Sequence, residues 1–262
     1  MTSLVLLRHG ESAWNADDRF TGWVDVPLTA AGEEQARHSG RLLAVAGLLP
    51  DVVHTSVLSR AVRTATVLLD EVQRPDVAVR QDWRLNERCY GALQGQDRTS
   101  VRRQYGEQQY RRWRRSYDEA PPPVERGSRW DTTDDPRYLA AGVPVPRTES
   151  LADVVARLLP CWYGAVVPDL RTGATVLVVA HSNSLRALVA HLDGLGAQEV
   201  LGLDIPTGMP LRYDLVVRRD ATLVPLRRGG EYLEPAAAKA AAQVVAELGS
   251  EPDRTAPTDG TP

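Results

Sequence analysis

The segment Arg8-His9-Gly10-Glu11-Ser12-Ala13-Trp14-Asn15 follows directly on the apolar run Leu4-Val5-Leu6-Leu7. A histidine leaving a short β-rich run, with arginine before it and glycine after it, has the parts of a phosphoryl-accepting nucleophile. Neutral imidazole, with an ordinary pKa near ~6.5, serves as nucleophile and base at neutral pH. The guanidinium of Arg8 offers phosphoryl oxygens a planar fork, and Gly10 would let the backbone come close to a ligand. A second strand-end histidine lies in Val178-Val179-Ala180-His181-Ser182-Asn183-Ser184-Leu185-Arg186, where a helical pattern begins near Asn183. An imidazole, two hydroxyls and a carboxamide at a helix start form an anion site, because free backbone N–H groups and the helix dipole face the ligand. Arg60, one turn into a helix that also follows a strand, would join Arg8 in surrounding a transferring phosphoryl group with positive charge. Arg63 reads as a solvated helix arginine. Neither an acidic cluster nor a Gly-rich loop with Lys-Ser/Thr is present to point to a nucleotidase or a P-loop enzyme, so the site is expected to bind through side chains without a divalent metal.

The elements that must hold these residues show as an alternation of strand and helix. Residues 4–7, 52–54, 77–79, 175–180 and 211–217 read as strands, with helical patterns of ten or more residues between them, which predicts a mostly parallel sheet covered by helices. The first long helix is predicted from Thr29 to about Gly47 and a second over residues 57–72. A third opens on the capping pattern Ser150-Leu151-Ala152-Asp153 and runs to about Val167. Both histidines therefore stand at strand carboxyl ends, where doubly wound sheets bind their ligands. The expected fold class is α/β, a single three-layer domain with a mostly parallel sheet flanked by helices, plus an inserted lid subdomain. The domain is placed at 1–248. Its inserted region, 97–147, is polar, rich in arginine and broken by Pro121-Pro122-Pro123, Pro136, Pro144 and Pro146. Residues 235–248 read as a terminal helix and 249–262 as a flexible tail.

Bulk composition narrows the class further. In 262 residues, 43% are apolar and 25% charged, as in ordinary soluble globular chains, and the length suffices for a full core. A net charge of −3 gives no general attraction to nucleic acid or to an anionic membrane, so polyanion binding would come from local arginine clusters. Cys89 and Cys161 fit neither a metal-ligand spacing nor a disulfide framework, which points to a reducing compartment. With no apolar run near ~20 residues and no signal-peptide pattern at Met1-Thr2-Ser3, the expected location is the cytoplasm.

The Arg8-His9-Gly10-Glu11 signature, Thr55-Ser56 through Arg60, and His181 after a strand together resemble the histidine phosphatase superfamily. Further blocks narrow the match: Phe20-Thr21-Gly22-Trp23, Leu85-Asn86-Glu87-Arg88, Tyr90-Gly91-Ala92-Leu93-Gln94-Gly95, Trp113-Arg114-Arg115, Asp135-Pro136-Arg137-Tyr138 and Ile205-Pro206-Thr207-Gly208. In order over residues 4–245, they resemble the 2,3-bisphosphoglycerate-dependent phosphoglycerate mutases. The resemblance implies interconversion of 2- and 3-phosphoglycerate in glycolysis and gluconeogenesis, with 2,3-bisphosphoglycerate as priming phosphoryl donor and no metal. His9 would carry the phosphoryl group, Glu87 would act as general acid and base, and His181 would stabilise the transition state beside Arg8 and Arg60. Substrate binding would fall to Arg8, Ser12, Asn15, Thr21, Gly22, Arg60, Glu87, Arg88, Cys89, Tyr90, Arg98, Arg114, Arg115, Ser182 and Asn183. Arg98, Arg114 and Arg115 would grip the carboxylate and distal phosphate from the lid. The run Arg111-Arg112-Trp113-Arg114-Arg115 could also form a nucleic-acid patch with an interleaved aromatic, but the acidic chain and the match to the lid favour a small-molecule phosphoglycerate over nucleic acid or membrane. The resemblance also implies a homo-oligomer.

Three positions depart from the family pattern. Cys89 stands where a histidine is usual, Ser182 where a glycine is usual, and Arg98 replaces a lysine. Cys89 is expected to remove an imidazole from the substrate side, and Ser182 to add a side chain where backbone approaches phosphate. These changes bear on substrate choice and on the mutase-to-phosphatase ratio. They leave a second reading, a diverged histidine phosphatase hydrolysing a related phosphoester, and a third, a regulatory relative that binds ligand with weak catalysis.

Overall fold

The computed structural model describes residues 2–218 and 222–247. The tail read at 249–262 lies outside the described residues. Seven strands form one sheet: β1 (Thr2–Arg8), β2 (Val52–Thr55), β3 (Ala78–Gln81), β4 (Val176–Ala180), β5 (Leu211–Val217), β6 (Leu223–Pro225) and β7 (Glu231–Tyr232). Their order is β3-β2-β4-β1-β5-β6, with β7 also paired to β5. The first four strands run parallel, and β5 to β7 extend the sheet antiparallel. A strand covered on both faces needs apolar residues at every position, which is why 4–7 reads as a run rather than an alternation.

The period of two sends that run to two different cores. Leu4 and Leu6 join Val176, Val178, Leu158, Trp162 and Leu188 on one face. Val5 and Leu7 join Leu177, Val179, Leu43 and Leu68 on the other. Helices α1 (Ala13–Ala16), α2 (Ala30–Val45) and α3 (Ser59–Glu71) follow the first two strands, and α2 packs on α3. Thr29 caps α2 by accepting from the Gly32 N–H at 3.0 Å. α3 starts two residues later than the sequence pattern indicates, because the carboxylate of Asp25 accepts from Ser59 N and Oγ and fixes the helix start there.

The inserted region contributes α4 (Arg98–Arg115), which breaks at Gly106 (φ 80°), and the short α5 (Pro136–Leu139); the remainder is turns and loop. Phe20, Leu93, Val101, Tyr110 and Trp113 form a small apolar cluster that ties α4 to the chain after α1. Beyond it come α6 (Leu151–Cys161) and α7 (Val167–Arg171), joined through a wider helical turn at Trp162–Val166. Ser150 and Asp153 form the capping box at the start of α6. Leu151–Arg171 is long and apolar enough, by length and composition, to cross a bilayer, although the sequence reading found no such run. Leu151, Val154, Leu158, Trp162 and Val166 of this stretch are buried in the core on one sheet face. Helices α8 (Ser182–Asp193), α9 (Ala197–Leu201) and α10 (Pro235–Glu247) follow, the last elements among the described residues.

Parallel register brings the chemistry together. Arg8 pairs with Ala180 and Thr55 with Val179, so the residues that leave β1, β4 and β2 next, His9, His181 and Ser56, emerge side by side. The His9 N–H donates to the Ala180 carbonyl at 3.0 Å. Gly10, expected to bring the backbone close to a ligand, packs against Gly32 and is not among the residues lining the cavity described below. A Cβ there would lie 2.1 Å from the Gly32 carbonyl oxygen, and one on Gly32 would lie 2.1 Å from the Glu11 carbonyl oxygen. These two glycines let the loop after His9 lie directly on the first turn of α2. Gly32→Ala is expected to cost about 1–3 kcal/mol through overpacking, read as a lowered urea midpoint at unchanged slope; an unchanged midpoint would show that this contact yields freely.

Candidate active site

His9 is 3% exposed. Its Nδ1 lies 2.6 Å from the Gly10 carbonyl, which can only accept, so Nδ1 carries the proton and Nε2 keeps its lone pair. The ring of His181 packs edge-on against it, with centroids 4.9 Å apart and planes at 62°. His181 Nε2 lies 2.7 Å from Ser56 Oγ, which also accepts from the Leu58 N–H. His181 Nδ1 is buried and has no hydrogen-bond partner. Burial, reinforced by the charges of Arg60 and Arg8, holds both imidazoles well below the usual histidine range, so both are neutral at neutral pH.

Arginine surrounds this pair. Arg60 is 1% exposed and donates to the Val24 and Gly22 carbonyls at 3.0 and 2.9 Å. Burial lowers its guanidinium to about 10. Arg8 reaches the Ile205 carbonyl at 2.9 Å through Nη1, and its Nε has no partner. Arg98 binds Asp18 at 2.7 Å, Arg115 grips Asp204 at 2.6 and 3.3 Å, and Arg114 approaches the Tyr110 hydroxyl at 3.3 Å. Burial lowers the Arg8 and Arg114 guanidiniums as well. Arg88 is fully buried over the face of Tyr90, 4.5 Å from its centroid, with Nε and Nη1 unpartnered. Glu87 collects hydrogen bonds on one oxygen: Oε1 accepts from Arg88 N at 2.8 Å and from Asn183 N and Nδ2 at 3.1 Å each. These groups enclose a cavity of about 240 Å³. The guanidiniums of Arg8, Arg60, Arg98, Arg114, Arg115 and Arg186 line it, and a polyanion is the ligand that complements such a set.

A sequence model of the histidine phosphatase superfamily (branch 1) matches residues 4–135 and 127–209. The chain is 55% identical over 252 residues to a 2,3-bisphosphoglycerate-dependent phosphoglycerate mutase of Thermobifida fusca, covering 95% of this chain and 100% of that one. It is 58% identical over 247 residues to the protein of that name from Mycobacterium tuberculosis, covering 94% and 97%. The chain belongs to the 2,3-bisphosphoglycerate-dependent phosphoglycerate mutase family of the histidine phosphatase superfamily. Among solved structures it superposes on mycobacterial hydrolase 1 with a TM-score of 0.66 at 24% identity, over 88% of this chain and 99% of that one. At that identity the likeness shows the α/β fold alone.

Of the site residues expected from the sequence, His181 and Arg88 are fully buried and do not line the cavity. Arg8, His9, Asn15, Thr21, Gly22, Arg60, Glu87, Tyr90, Arg98, Arg114, Arg115, Ser182 and Asn183 line the cavity. Ser12 is fully buried behind it, where it caps α1 and binds the Asn15 side chain. Cys89, expected on the substrate side, faces away from the cavity. Its N–H is held by Glu149 Oε2 at 2.8 Å and its Sγ lies 3.2 Å from the Pro146 carbonyl, so the peptide that aims Glu87 at the cavity turns residue 89 into the packing behind. Burial pushes this thiol up to about 12. The Arg63 guanidinium sits on the surface, paired with Glu33, as expected.

Some lining residues were not singled out by sequence. Arg186, Gln35, Asp204 and Thr207 line the cavity, as does Glu11. Glu11, Arg186, Asp204 and Thr207 lie in or beside the Arg8, His181 and Ile205-Pro206-Thr207-Gly208 blocks, whereas Gln35 carried no such signal. Because the two site histidines hold off protonation when folded but not when unfolded, the unfolded chain binds more protons below about pH 6.5, and stability is lost as pH falls. The expected loss reaches at most about 1.4 kcal/mol per pH unit for each histidine. Urea unfolding at pH 7.5 and 5.5 measures it, and His9→Asn should flatten the profile; a stability independent of pH over that interval contradicts the buried neutral pair.

Proposed function

We propose that this chain interconverts 2- and 3-phosphoglycerate through a phosphorylated His9, primed by 2,3-bisphosphoglycerate. The observation that carries this reading is the ring of guanidiniums from Arg8, Arg60, Arg98, Arg114, Arg115 and Arg186 that lines one cavity beside a neutral histidine. A ligand with two phosphates and a carboxylate supplies acceptors for several of them at once. Bound there, the bisphosphate supplies the first phosphoryl group; every other part of the chemistry belongs to side chains of this chain.

His9 Nε2 attacks phosphorus in line, while its Nδ1–H stays fixed on the Gly10 carbonyl, so the ring needs no rearrangement as positive charge develops. His181, packed edge-on against the His9 ring and held by Ser56 at Nε2, stands beside the nucleophile, where it would stabilise the transferring group. Arg8 and Arg60 neutralise charge on the transferring group. Glu87 gives its proton to the departing oxygen and, in the second half of the cycle, takes one from the attacking hydroxyl. Arg98, Arg114 and Arg115, all from α4, hold the far end of the ligand and cover the strand ends from the insertion, which acts as the lid.

The phosphatase reading rested on Cys89 and Ser182 together. Cys89 does not line the cavity, while Ser182 does, so one of its two supports is gone. Primed protein is expected to convert 3- to 2-phosphoglycerate faster than it releases inorganic phosphate, measured in parallel. His9→Ala should abolish both isomerisation and an acid-labile phosphoryl label on the protein. Glu87→Gln should slow isomerisation by roughly 10²–10⁴-fold. Phosphate release in large excess over isomerisation would replace the mutase reading with the phosphatase one.

A further inference from the structure

Arg186 stands one turn after Asn183 on α8, lines the cavity and is 2% exposed. Its Nη1 donates to Asn183 Oδ1 at 2.9 Å, and its Nη2 donates to the Val200 carbonyl of α9 at 2.8 Å. The first bond decides which way a side-chain amide faces. With Oδ1 held by a cation that can only donate, Asn183 Nδ2 must point away, and there it donates to Glu87 Oε1 at 3.1 Å and to the Tyr90 hydroxyl at 2.9 Å. An amide turned over would set Oδ1 against Glu87 Oε1, acceptor against acceptor. The present orientation completes three N–H donors on Oε1, while none of the carboxyl's hydrogen bonds uses Oε2. Carboxylate charge therefore gathers on Oε1, and a proton on Oε1 would displace a donor.

We propose that Arg186 is a positioning residue for the proton transfer: by pinning the Asn183 amide, it confines the transferable proton to Glu87 Oε2. The proposal rests on the reading of Glu87 as proton carrier. As the bond from His9 Nε2 to phosphorus forms, the phosphorus–oxygen ester bond breaks and its electron pair goes to the departing oxygen. That oxygen takes the proton from Oε2, leaving a carboxylate whose charge is met at Oε1 by the three N–H groups. In the return transfer, Oε2 takes the hydroxyl proton of the acceptor. With the Asn183 amide free to turn, the proton is drawn to Oε1, facing Asn183 and out of line with the substrate oxygen.

A poor leaving group depends on that proton, whereas an aryl oxide leaves as a stable anion without it. Single-turnover phosphorylation of His9 at saturating donor, from 2,3-bisphosphoglycerate and from p-nitrophenyl phosphate, therefore separates a positioning role from a structural one. Arg186→Lys keeps a buried cation but loses the fork that reaches Asn183 and Val200 together, and should slow transfer from the bisphosphate at least tenfold more than transfer from the aryl phosphate. Asn183→Ala, which removes no buried charge and tests the same link if Arg186→Lys does not fold, should show the same discrimination. Adding Arg186→Lys to Asn183→Ala should then change the ratio no further. Equal slowing of both donors by Arg186→Lys and Asn183→Ala, or additive effects in the double variant, overturns the proposal. Glu87→Gln is the reference: if it slows both donors equally, the Glu87 assignment falls and the Arg186 role with it. If Glu87→Gln discriminates and Arg186→Lys and Asn183→Ala do not, only the Arg186 role falls.

Discussion

Positive charge held out of water around two neutral imidazoles is the constraint on which the rest of this molecule depends. Desolvating a guanidinium costs several kcal/mol even after relaxation, and the cost is offset only where hydrogen bonds satisfy its donors. Here backbone carbonyls do much of that work: Gly22 and Val24 for Arg60, Ile205 for Arg8, Trp113 for Arg88 and Val200 for Arg186. Using carbonyls instead of carboxylates leaves the charge uncancelled. Burial keeps His9 and His181 unprotonated and that charge reinforces it, while the same charge suits the cavity to a polyanion.

The sheet and the insertion divide the work of building this receptor. Three neighbouring parallel strands deliver Ser56, His181 and His9 to one level, and two glycines lock the loop after His9 onto α2. The strands that carry the three side chains are buried between two apolar clusters, which holds His9 on a well-packed base. The roof is built differently. Arg98, Arg114 and Arg115 come from a helix broken at Gly106 and tied down by a separate small apolar cluster, which suits a cover that must admit a substrate. Glu87 and Tyr90, on the chain before the insertion, are joined to α8 through Asn183, and Tyr90 also packs on the cluster that ties down α4.

Much of this was legible in the chain. The buried strands show as unbroken apolar runs, α2 and α6 are announced by Thr29 and Ser150, and both histidines follow strand ends. The misreadings share a cause. Gly10 was assigned to a ligand and Cys89 to the substrate side, yet a backbone approach and a side-chain direction depend on elements distant in sequence: Gly32 for one, Glu149 and Pro146 for the other. Arg186 was quoted but passed over, since an arginine one turn into a helix looks the same in sequence whether it faces solvent or a cavity.

By itself the sequence determined the α/β class and the types of residue that follow the strand ends, because strand periodicity and helix capping are local properties. Tertiary structure alone decided which arginines lose water, which nitrogen of His181 meets Ser56, and how the Asn183 amide faces Glu87. Those are properties of hydrogen-bond partners on different elements, and one-dimensional spacing carries no record of direction. The same division holds for the turn from Arg8 to Glu11: its residue types come from the sequence, and its reactivity comes from burial among charges the fold brings to it.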